Sequence, residues 1–166
     1  MNRLVSFGRR SFTTGVAKFA EAKQSTSAAT SLVLNFSTPH QPIYTKKNID
    51  KVILPGEAGE YGVTMNHSPV ISQLKPGVVT VIHTDNKEEK FFVPGGFALT
   101  HANSVTDVSV TEAVPLNELD ESSIKSGYSA AVSAASSAAA GSVAQAKAQI
   151  EVNVYSSLAR AVGIAL

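Results

Sequence analysis

Residues 53–81 read ILPGEAGEYGVTMNHSPVISQLKPGVVTV. Gly56, Gly59 and Gly62 recur at three-residue spacing and alternate with Glu57 and Glu60. A Met-Asn-His-Ser-Pro segment follows, and Lys75-Pro76-Gly77 then closes onto a run of valines. Glycines packed this densely mark a backbone that turns where side chains would clash. The segment carries charge and a histidine without a set of catalytic partners, which points to a shaped contact surface. The plainer alternative is a tight connection between strands.

Phosphate binding is the first chemistry to test against such a loop, and it fails. A phosphate cradle needs Gly-Lys-Ser/Thr, or Gly-x-Gly-x-x-Gly opening straight into a helix N-terminus. This loop runs instead into Val63-Thr64-Met65 and soon meets Pro69. Its two glutamates would also repel a phosphate.

The 166 residues suffice for one average domain or two small ones, and 43% hydrophobic with 16% charged residues describes a folded, weakly charged chain. The absence of cysteine excludes disulfides and thiolate metal sites. The net charge of +1 sums two unlike parts. Residues 1–23 hold Arg3, Arg9, Arg10, Lys18 and Lys23 against Glu21 alone, whereas the remainder has nine basic and twelve acidic residues. No basic patch is left that would suit nucleic acid. The 1–23 segment, Arg-rich, Ser/Thr-rich and free of acids before Glu21, reads as a mitochondrial transit peptide, with a disordered basic tail as the alternative. Residues 126–146 lack charge, but they are mostly Ala and Ser and offer too little apolar surface to enter a bilayer. No direct membrane insertion is expected.

All seven prolines and six of the eleven glycines lie between Pro39 and Pro115, after which alanine dominates. This predicts an α+β chain: a β-sandwich over residues 30–115, then an α-helical hairpin over residues 116–166. Ser31–Ser37, Ile43–Thr45, Lys51–Leu54, Val78–Thr84, Glu89–Val93, Phe97–Thr100 and Val105–Thr111 read as strands, with Asp85-Asn86 as a hairpin turn. In the second half, Asn117 is the expected N-cap. Ile124, Tyr128, Val132, Ala135 and Ala139 form one expected stripe; Val143, Ala146, Ile150, Val154, Leu158 and Ala161 form another, with a turn at Gly141. At roughly 25 cal/mol per Å² such small side chains make a hairpin that is marginal alone.

The sequence offers no catalytic, cofactor or metal site. His40, His67, His83 and His101 are scattered without ligand spacing. Gly127-Tyr128-Ser129-Ala130-Ala131 has Ala where a nucleophile elbow needs its second Gly, and no strand precedes it. Glu88-Glu89 and Asp120-Glu121 fall in a hairpin and a helix first turn, both solvated settings. Asn35-Phe36-Ser37 and Asn66-His67-Ser68 match the glycosylation pattern, a chemistry foreign to a mitochondrial protein.

Three elements carry a family resemblance. The first is Leu54-Pro55-Gly56 through Gly62-Val63, with Asn66-His67-Ser68-Pro69 and Leu74-Lys75-Pro76-Gly77. The second is Phe92-Val93-Pro94-Gly95-Gly96-Phe97-Ala98 with Glu112-Ala113, and the third is Ala146-Lys147-Ala148-Gln149-Ile150 in the Ala-rich tail. Together they resemble the F-type ATP synthase subunits called delta in mitochondria and epsilon in bacteria and chloroplasts. The transit peptide selects the mitochondrial branch. The resemblance implies a rotor subunit without catalysis, beside the gamma subunit and the small central-stalk subunit, on the polar loops of the c-ring. The resemblance also implies a place on the matrix side of the inner membrane and a part in coupling proton-driven rotation to ATP synthesis. Glu57, Glu60 and Tyr61 match the ring-facing loop, with His67 on the neighbouring segment. Some relatives bind ATP through Ile/Leu-Asp-x-x-Arg-Ala; Ile150-Glu151-Val152-Asn153-Val154-Tyr155 lacks the Arg-Ala. A regulatory nucleotide-binding module of the same complex is the alternative reading.

Overall fold

Strict alternation of buried and half-buried residues along Leu32–Ser37 (β1) sets Leu32, Leu34 and Phe36 on one face of a sheet. The computed structural model describes residues 31–166, so the expected transit peptide lies outside the described residues. Nine further strands follow: β2 Pro42–Ile49, β3 Lys51–Gly56, β4 Gly59–Thr64, β5 Val70–Leu74, β6 Gly77–Ile82, β7 Glu88–Val93, β8 Gly96–Thr100, β9 Val105–Val110 and β10 Val114–Pro115. They form one sheet in the order β10-β7-β6-β3-β5-β8-β9-β1-β2, with β4 added on β3. Every pairing is antiparallel except that of β1 with β9.

The sheet folds over at β3 and β5, which share only the pair Gly56 and Leu74, so its two halves face each other as a sandwich. Between them lies a core of Leu32, Leu34, Phe36, Ile49, Val52, Leu54, Val63, Val79, Val81, Val93 and Val108. Phe36 meets Phe91 edge to face at 5.5 Å, and Tyr44 of β2 reaches Phe91 at 6.1 Å. The expected β-sandwich is present. Two of its strands, β4 and β5, fall in the stretch expected to be a loop, and β2 runs well beyond Ile43–Thr45. A bulge near Phe36 keeps β2 in register with β1, and Lys46 takes the left-handed conformation (φ 49°) there.

A 3-10 turn at Leu116–Glu118 leads to two antiparallel helices, α1 Glu121–Ser137 and α2 Val143–Val162. Asp120, not Asn117, caps α1: its carboxylate accepts N–H bonds from Ser122 at 3.3 Å and Ser123 at 3.0 Å, and both hydroxyls donate to it as well. These bonds hold the exposed Asp120 carboxyl well below the usual carboxylate range. Ser142 caps α2, and Gly163 closes it in the left-handed conformation. The contact stripes agree only in part with those expected, with Ile124 buried and Tyr128, Val154 and Leu158 half-buried. Ile124 and Ala131 of α1 and Ala148 and Ala159 of α2 are buried, while Val132, Val143 and Ile150 are exposed. Among the described residues no helix is long and apolar enough to cross a membrane.

Candidate interaction surfaces

The glycine-rich stretch is a β-hairpin with Glu57 and Ala58 at its tip. A side chain at Gly56 would meet the Gly59 carbonyl at 2.9 Å and the Tyr61 ring at 3.0 Å, and Gly59 has φ 140°. Both positions therefore need glycine to close so tight a turn. Gly62 has open space around it, so the three-residue period has no single cause. The tip is tied to the second layer: the Glu57 N–H donates to the Gln73 carbonyl and the Lys75 N–H to the Pro55 carbonyl, both at 3.0 Å.

The four sequence-selected residues do not form one patch. Glu57 is exposed at the tip. Glu60, also exposed, pairs with Pro55 and lines a groove of about 310 Å³ between the sheet and α2, together with Lys75, Lys90 and Arg160. Tyr61, one residue on, pairs with Leu54 and so turns to the other face, where its ring packs against the core. Its hydroxyl is buried and has no hydrogen-bond partner among the described residues. His67 lies past the far end of β4, roughly 20 Å from Glu57 at about 3.3 Å per strand residue. There its Nδ1 is 2.7 Å from the Ser68 carbonyl oxygen, and the neighbouring Asn66 N–H donates to Ser104 Oγ at 2.9 Å.

A second surface escaped the sequence reading. The outward residues of β5 and β8 pair as Ile71 with Leu99 and Gln73 with Phe97. Ile71 is 75% exposed and Phe97 59%, an unusual setting for large apolar groups in mid-sheet. Alternation was the available signal, since Phe97 and Leu99 flank the buried Ala98, but β5 was not recognised as their partner strand.

Two of the histidines, His83 and His101, lie beside carboxylates of the sheet. His101 Nε2 lies 2.8 Å from Asp107 Oδ2, and Asn35 Nδ2 donates to Asp107 Oδ1 at 2.6 Å. Partial burial opposes ionisation of Asp107, but these two contacts outweigh it and keep the carboxyl below its ordinary range. On the opposite side, the Tyr44 hydroxyl donates to Glu89, and His83 Nε2 is 3.2 Å from the same carboxylate. That His83 atom is buried and close to Glu89 without being aligned for a hydrogen bond. The bond from Tyr44 lowers the Glu89 pKa against the effect of burial, with help from His83 and Lys87; burial and Glu89 raise that of Tyr44 far above the ordinary phenol value. Among the described residues no group of three or more His, Cys, Asp or Glu side chains is placed to hold a metal.

Comparison with known proteins agrees with this architecture. Residues 31–115 match the ATP synthase Delta/Epsilon chain beta-sandwich domain. The mitochondrial ATP synthase F(1) complex subunit delta of Dictyostelium discoideum is 44% identical over 102 residues, 60% of each chain. The mitochondrial ATP synthase subunit delta of Pichia angusta is 42% identical over 117 residues, 70% of this chain and 71% of the relative. The described fold is also similar to a chain in the Euglena gracilis mitochondrial ATP synthase structure of OSCP, F1 and c-ring: TM-score 0.77 at 22% identity, covering 95% of this chain and 91% of that one. The chain belongs to the ATP synthase delta/epsilon family, and the sandwich just described is that family's domain.

Proposed function

We propose that this chain is a non-catalytic central-stalk subunit of a mitochondrial F-type ATP synthase, on the matrix side of the inner membrane. It links the gamma subunit and the small stalk subunit to the c-ring and turns with them. The observation that carries this reading is the exposure of Ile71, Phe97 and Leu99 on a regularly paired sheet face. Rigid apolar patches bordered by polar groups are what subunit contacts require, because they desolvate without reordering. That face docks on the stalk subunits, with His67 at its border. The hairpin tip faces the ring, where Glu57 and Glu60 offer negative charge to basic loops and Tyr61 stiffens the turn from within.

The test is capture of the tagged full chain from mitochondria. Gamma, the small stalk subunit and the catalytic subunits should co-purify near one copy of this chain per gamma. Recovery of the chain alone, in detergent that keeps the synthase intact, would sink the reading. Phe97→Glu should abolish co-recovery of gamma, and Glu60→Lys should lower proton-driven synthesis relative to hydrolysis.

A regulatory nucleotide-binding module of the same complex is favoured by one feature, the three cations Lys75, Lys90 and Arg160 around the groove beside α2. Lys90 is also held 3.5 Å from Glu88. Millimolar ATP should then raise the melting temperature; an unchanged value would leave the rotor reading alone.

A further inference from the structure

Among the described residues, Lys46, Asn66, Asn86 and Ser104 take the left-handed conformation without being glycine. Two of them, Asn66 and Ser104, both at φ 60°, meet at one end of the sandwich. Asn66 lies in the turn between β4 and β5, and Ser104 in the turn between β8 and β9. The Asn66 main-chain N–H donates to Ser104 Oγ at 2.9 Å, and that hydroxyl is 3.4 Å from Asn66 Oδ1 as its own acceptor. The Ser104 carbonyl meanwhile accepts the N–H of Val33, at the start of β1, at 2.9 Å. Ser104 is only 2% exposed, so a single enclosed residue ties three separate segments together.

Asparagine tolerates the left-handed region, whereas serine enters it at a cost and stays only where its surroundings over-determine it. Ser104 can relax to an ordinary φ only by moving its hydroxyl and its carbonyl together, which breaks the bonds to Asn66 and to Val33 at once. Half-measures are unfavourable, because either bond broken alone leaves an enclosed polar group unmatched. The disturbance is bounded below by the pairing of Thr100 with Thr106, whose buried hydroxyls are 3.4 Å apart. We propose that Ser104 is the keystone of a strained latch. Closed, it holds the β4–β5 turn against the sheet and fixes how Met65, 42% exposed, and the half-buried His67 are presented. Open, it releases that turn, its own turn and the start of β1 as one unit, short of global unfolding. The latch belongs to the free chain and does not rest on what this end of the sandwich meets.

Amide hydrogen exchange of the full chain, read by NMR at increasing urea below the unfolding transition, tests this. In the unmodified chain the Asn66 and Val33 amides should exchange through one opening, with one urea dependence, ahead of the core amides of β6. Ser104→Ala removes the hydroxyl but keeps the strain, and should speed exchange at both amides together. Ser104→Gly loses the same hydroxyl while relieving the backbone. It should open about fivefold less often than Ser104→Ala, the cost of a left-handed residue less the added freedom of glycine when open. That order reverses the usual disadvantage of glycine against alanine. Should neither variant fold, the unmodified chain decides alone. Different urea dependences for Asn66 and Val33, or exchange of both only with the core, would overturn the latch. Ser104→Gly opening as often as Ser104→Ala, or more often, would overturn the stored strain on which the latch depends.

Discussion

Tyr61 packs against the core beside Gly56, and its buried hydroxyl has no hydrogen-bond partner among the described residues. A buried donor left unmade is a net loss, whereas its removal with the ring retained is neutral or favourable. Tyr61→Phe should therefore leave urea stability unchanged or raise it by up to about 1 kcal/mol; a loss above that range would mean the hydroxyl is satisfied in solution. The inward turn of this ring was not legible from Glu60-Tyr61-Gly62, because two glycines hide the alternation of β4. Only the pairing of Leu54 with Tyr61 and of Val52 with Val63 decides which side faces the core. The same register sends Glu60 outward. A residue's face is a property of its partner strand as much as of its own sequence.

In the helical hairpin, the small residues set the geometry. A side chain at Gly127 would lie 2.5 Å from the Tyr155 ring, so α1 and α2 approach closely there, with Ala131, Ala148 and Ala159 buried nearby. Gly127→Val should destabilise the hairpin by about 1–3 kcal/mol, the range for overpacking a filled contact. Thermal unfolding by circular dichroism would measure it, and adding Tyr155→Ala should restore part of the loss. A Gly127→Val protein as stable as the parent would mean that the two helices are not packed as described. The two helices and the turn at Gly141 were readable from composition and spacing. Their contact faces were legible only in part, since the expected stripes joined Val132, Val143 and Ile150 to the alanines and to the buried Ile124. Here Val132, Val143 and Ile150 stay outside, and alanines take the contact because only they permit so short a separation. Asn117 was the wrong cap for a related reason: the 3-10 turn intervenes, and Asp120 has two following Ser N–H groups within reach. Along α1, hydroxyls of Ser126, Ser129, Ser133, Ser136 and Ser137 donate back to helix carbonyls, which weakens the helix they sit in.

At the scale of the whole molecule, Tyr44 and Glu89 join strands near opposite ends of the folded sheet. The carboxyl of Glu89 has its pKa lowered by folding, chiefly through the Tyr44 hydroxyl. Its contribution to stability is therefore full above the unfolded carboxyl value of about 4.3 and is lost as pH falls through the lower folded value. Asp107 and Asp120 act with the same sign. Denaturant midpoints should fall as pH is lowered below about 5, and Glu89→Gln or Tyr44→Phe should flatten part of that decline. An unaltered pH profile in both variants would show that the clasp carries no linked proton.

The parallel pairing of β1 with β9 has a temporal meaning. Asn35 and Asp107 are neighbours in space but 72 residues apart in sequence. Loop closure over that length precedes any reward from the contact, which makes such topologies slow to form. A chain delivered N-terminus first holds Leu32, Leu34 and Phe36 with β2 alone beside them until Val110 has arrived, so the sandwich closes late.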